Sequence, residues 1–425
     1  MNEESSEGAV ATPRETPPVR SAAVIFIFIT ILLDMFALGL ILPILPKLVE
    51  SFVNNDTASA ARIFGLFGTA WALMQFFFSP ILGGLSDRFG RRPVVLLSSL
   101  GLALDYVLMA LAPSLTWLFI GRVISGITSA SVSTAFAYIA DVTPAEQRAA
   151  VFGKIGAAFG AGFIFGPAIG GLLGDMDPRL PFWVAAGLSF ANTLYGWLIL
   201  PESLPRERRS PFRWKNANPV GALHLLRSDR ILANLSVVNF IAQLAHVVLP
   251  STFVLYATYR YGWNTRTVGL TLALVGICAM TVQGAAIGPI VRRFGERRAL
   301  LLGLGCGAVG FLIFGAAPTG PLFWLGIPVM ALWGVSGAAL QSLMTRLVAP
   351  DQQGQLQGAI TSVQSLSQLV GPFLFTLTFA WFIGAQAPLR LPGAPFLLAS
   401  ALLVLALAIA ARTLAVARVG QRADS

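Results

Sequence analysis

Three ionisable residues stand alone in long apolar runs of this chain. Asp34, in LDMFALGLILPILP, is the only charge between Arg20 and Lys47, and Asp105 is the only charge between Arg92 and Arg122. A buried acid or arginine costs about 2.5–3.5 kcal/mol on insertion scales, so each needs a partner or a task. A carboxylate in such surroundings can switch between neutral and charged: desolvation favours the neutral form and a nearby arginine the charged one. Asp34 and Asp105 are therefore candidate proton carriers, or they pair with Arg122 and only brace the structure. Arg122 keeps its proton, which suits a structural or coupling role.

A second concentration of charge is GGLSDRFGRRP, residues 83–93, with one acid and three arginines between apolar runs. It reads as a tight turn in which Gly83, Gly84 and Gly90 allow close packing. Asp87 can accept a hydrogen bond from Arg91, and it is expected near the start of a helix, where the dipole favours an anion. Asp141, in ADVTPAEQR, is a candidate third member, with Arg88 and Arg92 holding the loop on one side of the membrane. Such a cluster can latch one conformation and release another.

Polar groups without charge add to the set. Gln75, in ALMQFFFSP, and Gln283, in TVQGAA, either line a drug-sized cavity with aromatics such as Trp71, Phe76, Phe77 and Phe78, or bond between helices. His246 is either a titrating group or a packed donor. The run GKIGAAFGAGFIFGPAIGG spaces Gly153, Gly162, Gly166, Pro167, Gly170 and Gly171 so that two helices can approach backbone to backbone, with the proline freeing a carbonyl.

Long helices must position these residues. Of 425 residues, 56% are hydrophobic and 11% charged, against about 25% charged in soluble domains. Uncharged segments of 20 or more residues recur, each able to cross a core of about 30 Å as a helix. Twelve spans are expected: 22–46, 63–84, 93–113, 115–139, 150–174, 180–200, 231–256, 267–291, 299–316, 321–345, 355–384 and 391–411. The apolar run 299–345 is divided by APTGP at 317–321. The net charge of +10 is topology rather than nucleic-acid binding: alternate loops and both tails hold 22 Lys/Arg, the opposite side six, and Arg122 lies within a span. That skew puts both termini in the cytoplasm. The acidic, proline-bearing first 20 residues do not resemble a cleavable signal peptide. Cys278 and Cys306 fall within spans as small packing residues, which implies no disulfide and no metal site.

The chain is expected to divide into a tail (1–21), a six-helix bundle (22–200), a basic linker (201–230), a second bundle (231–411) and a tail (412–425). RFGRR at 88–92 returns as RFGER at 293–297, and Gly166-Pro167 returns as Gly371-Pro372, both offset by 205 residues. Two matches at one offset argue for duplication. Asp105 and Arg122 correspond to Gly310 and Ile327, so charge chemistry is expected in the first half.

The pattern G-x-x-x-D-R-x-G-R-R, filled by Gly83, Asp87, Arg88, Gly90, Arg91 and Arg92, resembles the signature of the major facilitator superfamily. The glycines of 153–171 resemble its antiporter motif. LDMFALGLILPILP, ALMQ, SDRFGRRPVVLL, SLGLALDYVL, GRVISGIT, ADVTPAEQRA, YGWN, RFGERRALLLG and QGQLQGAITS are similar, in order, to the tetracycline/proton antiporters within it. The resemblance implies an all-α membrane fold of two six-helix bundles. It implies transport roles for Asp34, Gln75, Asp105 and Arg122, a cytoplasmic gate at Asp87 and Arg91, and a polar site at Gln283. The family's span-eight histidine falls at Ala279 and its span-nine aspartate at about Gly307, which weakens tetracycline specifically as cargo.

The expected function is export of a drug-like amphipathic compound in exchange for protons, with an uncoupled or differently coupled metabolite permease as the alternative. No cofactor is expected beyond the proton as coupling ion. The expected partners are a small-molecule substrate and the bilayer, with no nucleic acid, and a monomer is expected to suffice in a bacterial inner membrane. The chain carries no HExxH, G-x-S-x-G or GxxxxGK[ST] pattern, so nothing points to an enzyme.

Overall fold

The computed structural model describes residues 21–129, 132–143, 145–209, 226, 229–349 and 352–423. The first 20 residues, most of the expected linker and residues 424–425 lie outside that set. The described chain is helical, with no strand. In order, the helices are α1 Ser21–Ile41, α2 Leu45–Ser51, α3 Thr57–Phe89, α4 Arg91–Leu111, α5 Leu115–Ser129, α6 Val132–Val142, α7 Ala145–Met176 and α8 Leu180–Ile199. The second half holds α9 Arg230–His246, α10 Val248–Tyr261, α11 Thr265–Thr281, a π-helical stretch Val282–Ala286, α12 Ile287–Ala316, α13 Gly320–Ala331, α14 Gly334–Thr345, α15 Gln353–Ile383 and α16 Ala394–Ala423.

Eleven stretches are long and apolar enough to cross a membrane, and one of them, Thr265–Ala316, has 52 residues. At 1.5 Å per residue it would measure roughly 78 Å, more than twice a hydrocarbon core. Gly295 divides it, with φ 74° and ψ 160°, a conformation open to glycine and costly for other residues. Twelve crossings result.

Several spans are longer and more broken than expected. The first runs to Ser51, with α1 ending before Pro43, whose ring blocks helical continuation, and α2 starting with Pro46 in its first turn. The seventh divides at Val247, and Pro250 then sits in the first turn of α10, where a missing N–H is harmless. These two breaks lie 205 residues apart. The expected turn falls between α12 and α13 at 317–319, with Gly320 and Pro321 opening α13. The last helix continues through the expected tail to Ala423.

Within the first half α1 packs on α7 and α8, and α4 on α8; within the second, α16 packs on α9 and α12. The second half is tied by aromatics: Phe314 and Phe323 stack at 4.1 Å, and the Tyr256 hydroxyl donates to the Phe314 carbonyl at 2.8 Å.

The halves meet through α3 with α15 and α7 with α11. An added Cβ at Gly68 would come 2.8 Å from Pro372, and one at Gly171 2.7 Å from the Thr265 carbonyl. Lys47 donates to the Trp263 carbonyl at 3.3 Å, and Thr69 to that of Leu369 at 3.4 Å. These contacts lie at the end of the molecule opposite the arginine-rich turns. Toward the basic end, Gly83, Gly156, Gly284 and Gly288 would meet nothing within 4 Å. The named contacts between the halves gather at the far end, and none of these four glycines contributes one at the basic end.

Candidate functional site

Asp34, half-buried on α1, takes a hydrogen bond from Asn192 Nδ2 at 3.5 Å, and Thr30 Oγ1 donates to Asn192 Oδ1 at 3.1 Å. Asn192 and Thr30 are buried. Sequence reasoning missed Asn192; an amide inside the apolar run of span six was the available signal.

Asp105, on α4, is only 1% exposed, and neither carboxylate oxygen has a hydrogen-bond partner among the described residues. Arg122, on the neighbouring α5, forms no ion pair with it; Arg122 Nε is likewise unpaired. The guanidinium carbon lies 5.5 Å from the centre of the Trp71 ring on α3, within cation–π range. A buried polar group left without a partner costs about 1–3 kcal/mol, so this arrangement holds free energy in reserve. The bracing pair allowed by the sequence is not formed in this state.

The other polar candidates are not drawn together. Gln75 is half-buried on α3 and Gln283 exposed in the π-helical stretch, and no hydrogen bond joins them. π-turns inside helices are often functional. Phe77 is 52% exposed. His246 ends α9, with its ring 5.5 Å from that of Trp333. Trp333 also fills the space beside Gly307: an added Cβ there would lie 2.7 Å from the indole and 2.8 Å from Leu403. The second half has no room for a carboxylate at that position.

The glycine-rich α7 has two working faces. Added Cβ atoms at Gly162 and Gly166 would come 2.6 Å from Met35 and 2.7 Å from Gly39 on α1, and one at Gly170 would strike Leu40. Gly171 instead abuts Thr265 and Gly269 of α11, while Gly174 lies against Ile44, with Thr265 beyond it. Pro167 touches Gly39. Gly153 lies in α7 with only its backbone described.

At the basic end the expected turn proves narrower. α3 continues to Phe89 and α4 starts at Arg91, leaving Gly90 alone between them with φ 108°. Nothing from Gly83 to Phe89 breaks a helix. Asp87 therefore sits in the last turn of α3, not at a helix start, and Gly83 lies inside α3 with open space beside it. The anion at the start of α4 is Glu202, which accepts from the Arg91 backbone N–H at 2.8 Å and from that of Leu204 at 3.0 Å.

Arg91 joins the cluster. Its guanidinium reaches Asp87 at 2.7 Å, Ser86 at 2.6 Å and Asp141 at 3.2 Å, and its side chain is 12% exposed. Ser203 donates to Asp141 at 3.2 Å, and Arg209 lies 3.9 Å from Glu202. Arg92 donates to the Trp197 carbonyl at 2.6 Å, and Arg88 lies over Phe89. In the second half Glu296 pairs with Arg346 at 2.6 Å and accepts from Ser342 at 2.7 Å. Glu202, Ser86, Ser203, Glu296, Ser342 and Arg346 were absent from the sequence-based set. The 205-residue offset was the missed signal for two of them, since it carries Arg91 to Glu296 and Asp141 to Arg346.

The Major Facilitator Superfamily model matches residues 27–372. The chain is 40% identical over 376 residues to the class C tetracycline resistance protein of Escherichia coli, covering 85% of this chain and 93% of that one. With the class D protein of Salmonella ordonez it is 37% identical, covering 91% and 95%. The crystal structure of the human organic anion transporter MFSD10 (TETRAN) superposes with a TM-score of 0.68 at 26% identity, covering 93% of this chain and all of that one. A membrane charge site, a charge-clustered turn and a fold of two six-helix bundles thus meet in one multi-pass chain, which belongs to the Major Facilitator Superfamily and stands close to its tetracycline-resistance transporters.

Proposed function

We propose that this protein exports an amphipathic, tetracycline-type compound across a bacterial inner membrane in exchange for protons. The observation that carries the reading is Asp105: a buried carboxylate with both oxygens free, beside an arginine that is not bound to it. Such a group can take a proton at one stage of a cycle and lose it at another. Asp34, tied to Asn192, serves as a second proton or substrate group, with Gln75 and Gln283 as polar contacts. The relatives' names carry tetracycline resistance to this chain as the leading cargo.

The basic end faces the cytoplasm by the distribution of Lys and Arg, so both termini are inside and the state described is open inward. The two bundles, 22–200 and 231–411, rock about the site while the linker 201–230 joins them on the cytoplasmic side. The cluster of Asp87, Arg88, Arg91, Arg92 and Asp141, with Gly83 and Gly90, gates that side. A monomer carries the whole cycle, and the proton is the only coupling ion.

The test is proton flux in proteoliposomes holding the purified protein and a pH gradient. Tetracycline with magnesium is added first, then a panel of lipophilic cations. Proton movement with tetracycline supports the full reading. Movement with other compounds alone keeps proton-coupled export and changes the cargo, the outcome toward which the Trp333-filled position 307 leans. Silence throughout, with transport intact, leaves an uncoupled permease. Asp34→Asn and Asp105→Asn are each expected to abolish coupled flux.

A further inference from the structure

Around Asp105 the polar atoms of three helices stand unpaired. Both carboxylate oxygens of Asp105, Nε of Arg122 and Nε1 of Trp71 are buried without a hydrogen-bond partner among the described residues. Helix geometry starts the arginine and the carboxylate on different sides of α5. Asp105 Oδ1 is seated against Gly121, where an added Cβ would come 2.9 Å from it. Residues 121 and 122 are consecutive, so their side-chain directions differ by about 100° around α5. The face that meets Asp105 is therefore the glycine's, while the guanidinium of Arg122 lies over the Trp71 ring of α3.

We propose that Trp71 is a positioning residue: it parks Arg122 on its ring and so keeps Asp105 unpaired and free to exchange a proton. The proposal rests on the proton-exchange reading above. Released from the indole, Arg122 swings to Asp105 and holds it as a carboxylate; parked, it leaves the carboxyl able to accept a proton from water and return it. The other ionisable groups around Asp105 do not substitute for Arg122. Tyr106 follows it on α4, and Asp34 of α1 lies near Tyr106, neither of them a cation. α8 carries only Tyr195 between Leu180 and Ile199, α6 carries Tyr138 and, near its end, Asp141, and the charges of α3 lie near its two ends at Arg62, Asp87 and Arg88.

The test is an infrared titration of the purified protein in lipid, following the protonated-carboxyl stretch that Asp105→Asn removes. In Trp71→Leu the midpoint is expected to move acid by about one to three pH units, because a paired arginine favours the charged form. Trp71→Phe keeps an aromatic face and should stay near the parent midpoint. Trp71→Leu/Arg122→Gln should lose the acid shift. An unchanged midpoint in Trp71→Leu, a shift that persists without Arg122, or no titrating Asp105 band in the parent would each overturn the proposal. The readout needs no substrate, so failure of the export reading shows separately, as absent proton flux in parent proteoliposomes.

Discussion

Glu296 and Arg346 form in the second half, with the signs exchanged, the ion pair that Arg91 and Asp141 form 205 residues earlier. The exchange extends to the third member, since Asp87 corresponds to Arg292. The Asp87–Arg91–Asp141 positions sum to one negative charge and Arg292–Glu296–Arg346 to one positive. The second half keeps the place of the charge cluster and inverts its sign.

If the inverted pair is a latch, its sign is arbitrary and its complementarity is not. Arg346→Glu should lower transport and thermal stability, and Glu296→Arg/Arg346→Glu should restore both. Arg346 is 72% exposed in its side chain, so the single change is worth about 0.5–1 kcal/mol, or two- to fivefold. Failure of the exchanged pair to recover either quantity would refute a latch at this position.

Arg91 should matter more than Arg346. It is nearly buried and holds two carboxylates and a serine, and hydrogen bonds to charged groups contribute about 1.5–3 kcal/mol. Arg91→Ala should cut transport tenfold or more, measured as substrate flux at constant protein level. Glu202→Gln, which weakens the anion at the start of α4, should cost less, about 0.5–2 kcal/mol by thermal melting. Gly90→Ala should cost at least as much, since its Cβ would strike Glu202 and φ is 108°.

Closure of the far end depends on glycine contacts, so side chains placed there should open it. Gly171→Val brings atoms against the Thr265 carbonyl and Gly269. Spin labels at Asn54 and Arg266 should move apart in this variant relative to the parent, and inward-facing protein should become scarcer. Gly83→Val, at a position with open space around it, should leave that distance unchanged.

Asn192→Ala removes the link between Thr30 and Asp34. Two polar groups then lose a partner, at about 1–3 kcal/mol each if water does not enter. Transport should fall and its pH profile should change, because Asp34 loses a donor that favours its charged form. Asn192→Leu with a parent-like profile would remove Asn192 from the site.

The sequence by itself determined the solvent, the duplication and the family. Apolar runs of fixed length have one stable form in a bilayer, because backbone polar groups must be satisfied within each segment. It also determined which charges were isolated, since Asp34, Asp105 and Arg122 are defined by what surrounds them along the chain. Asp87 shows where local reading stops: a turn was expected from residue 83, but α3 runs through Gly83 and Gly84 and ends only at Gly90, where φ turns positive, so the helix-start anion is Glu202, about 110 residues away. Whether Arg122 pairs with Asp105 was settled only by tertiary structure, because it depends on which side of α5 each neighbouring helix occupies. Asn192 stood out only as an amide in an apolar run, and nothing local named the partners of Trp71 and Trp333. Their partners come from other spans, and spacing along one chain does not encode how helices rotate against each other.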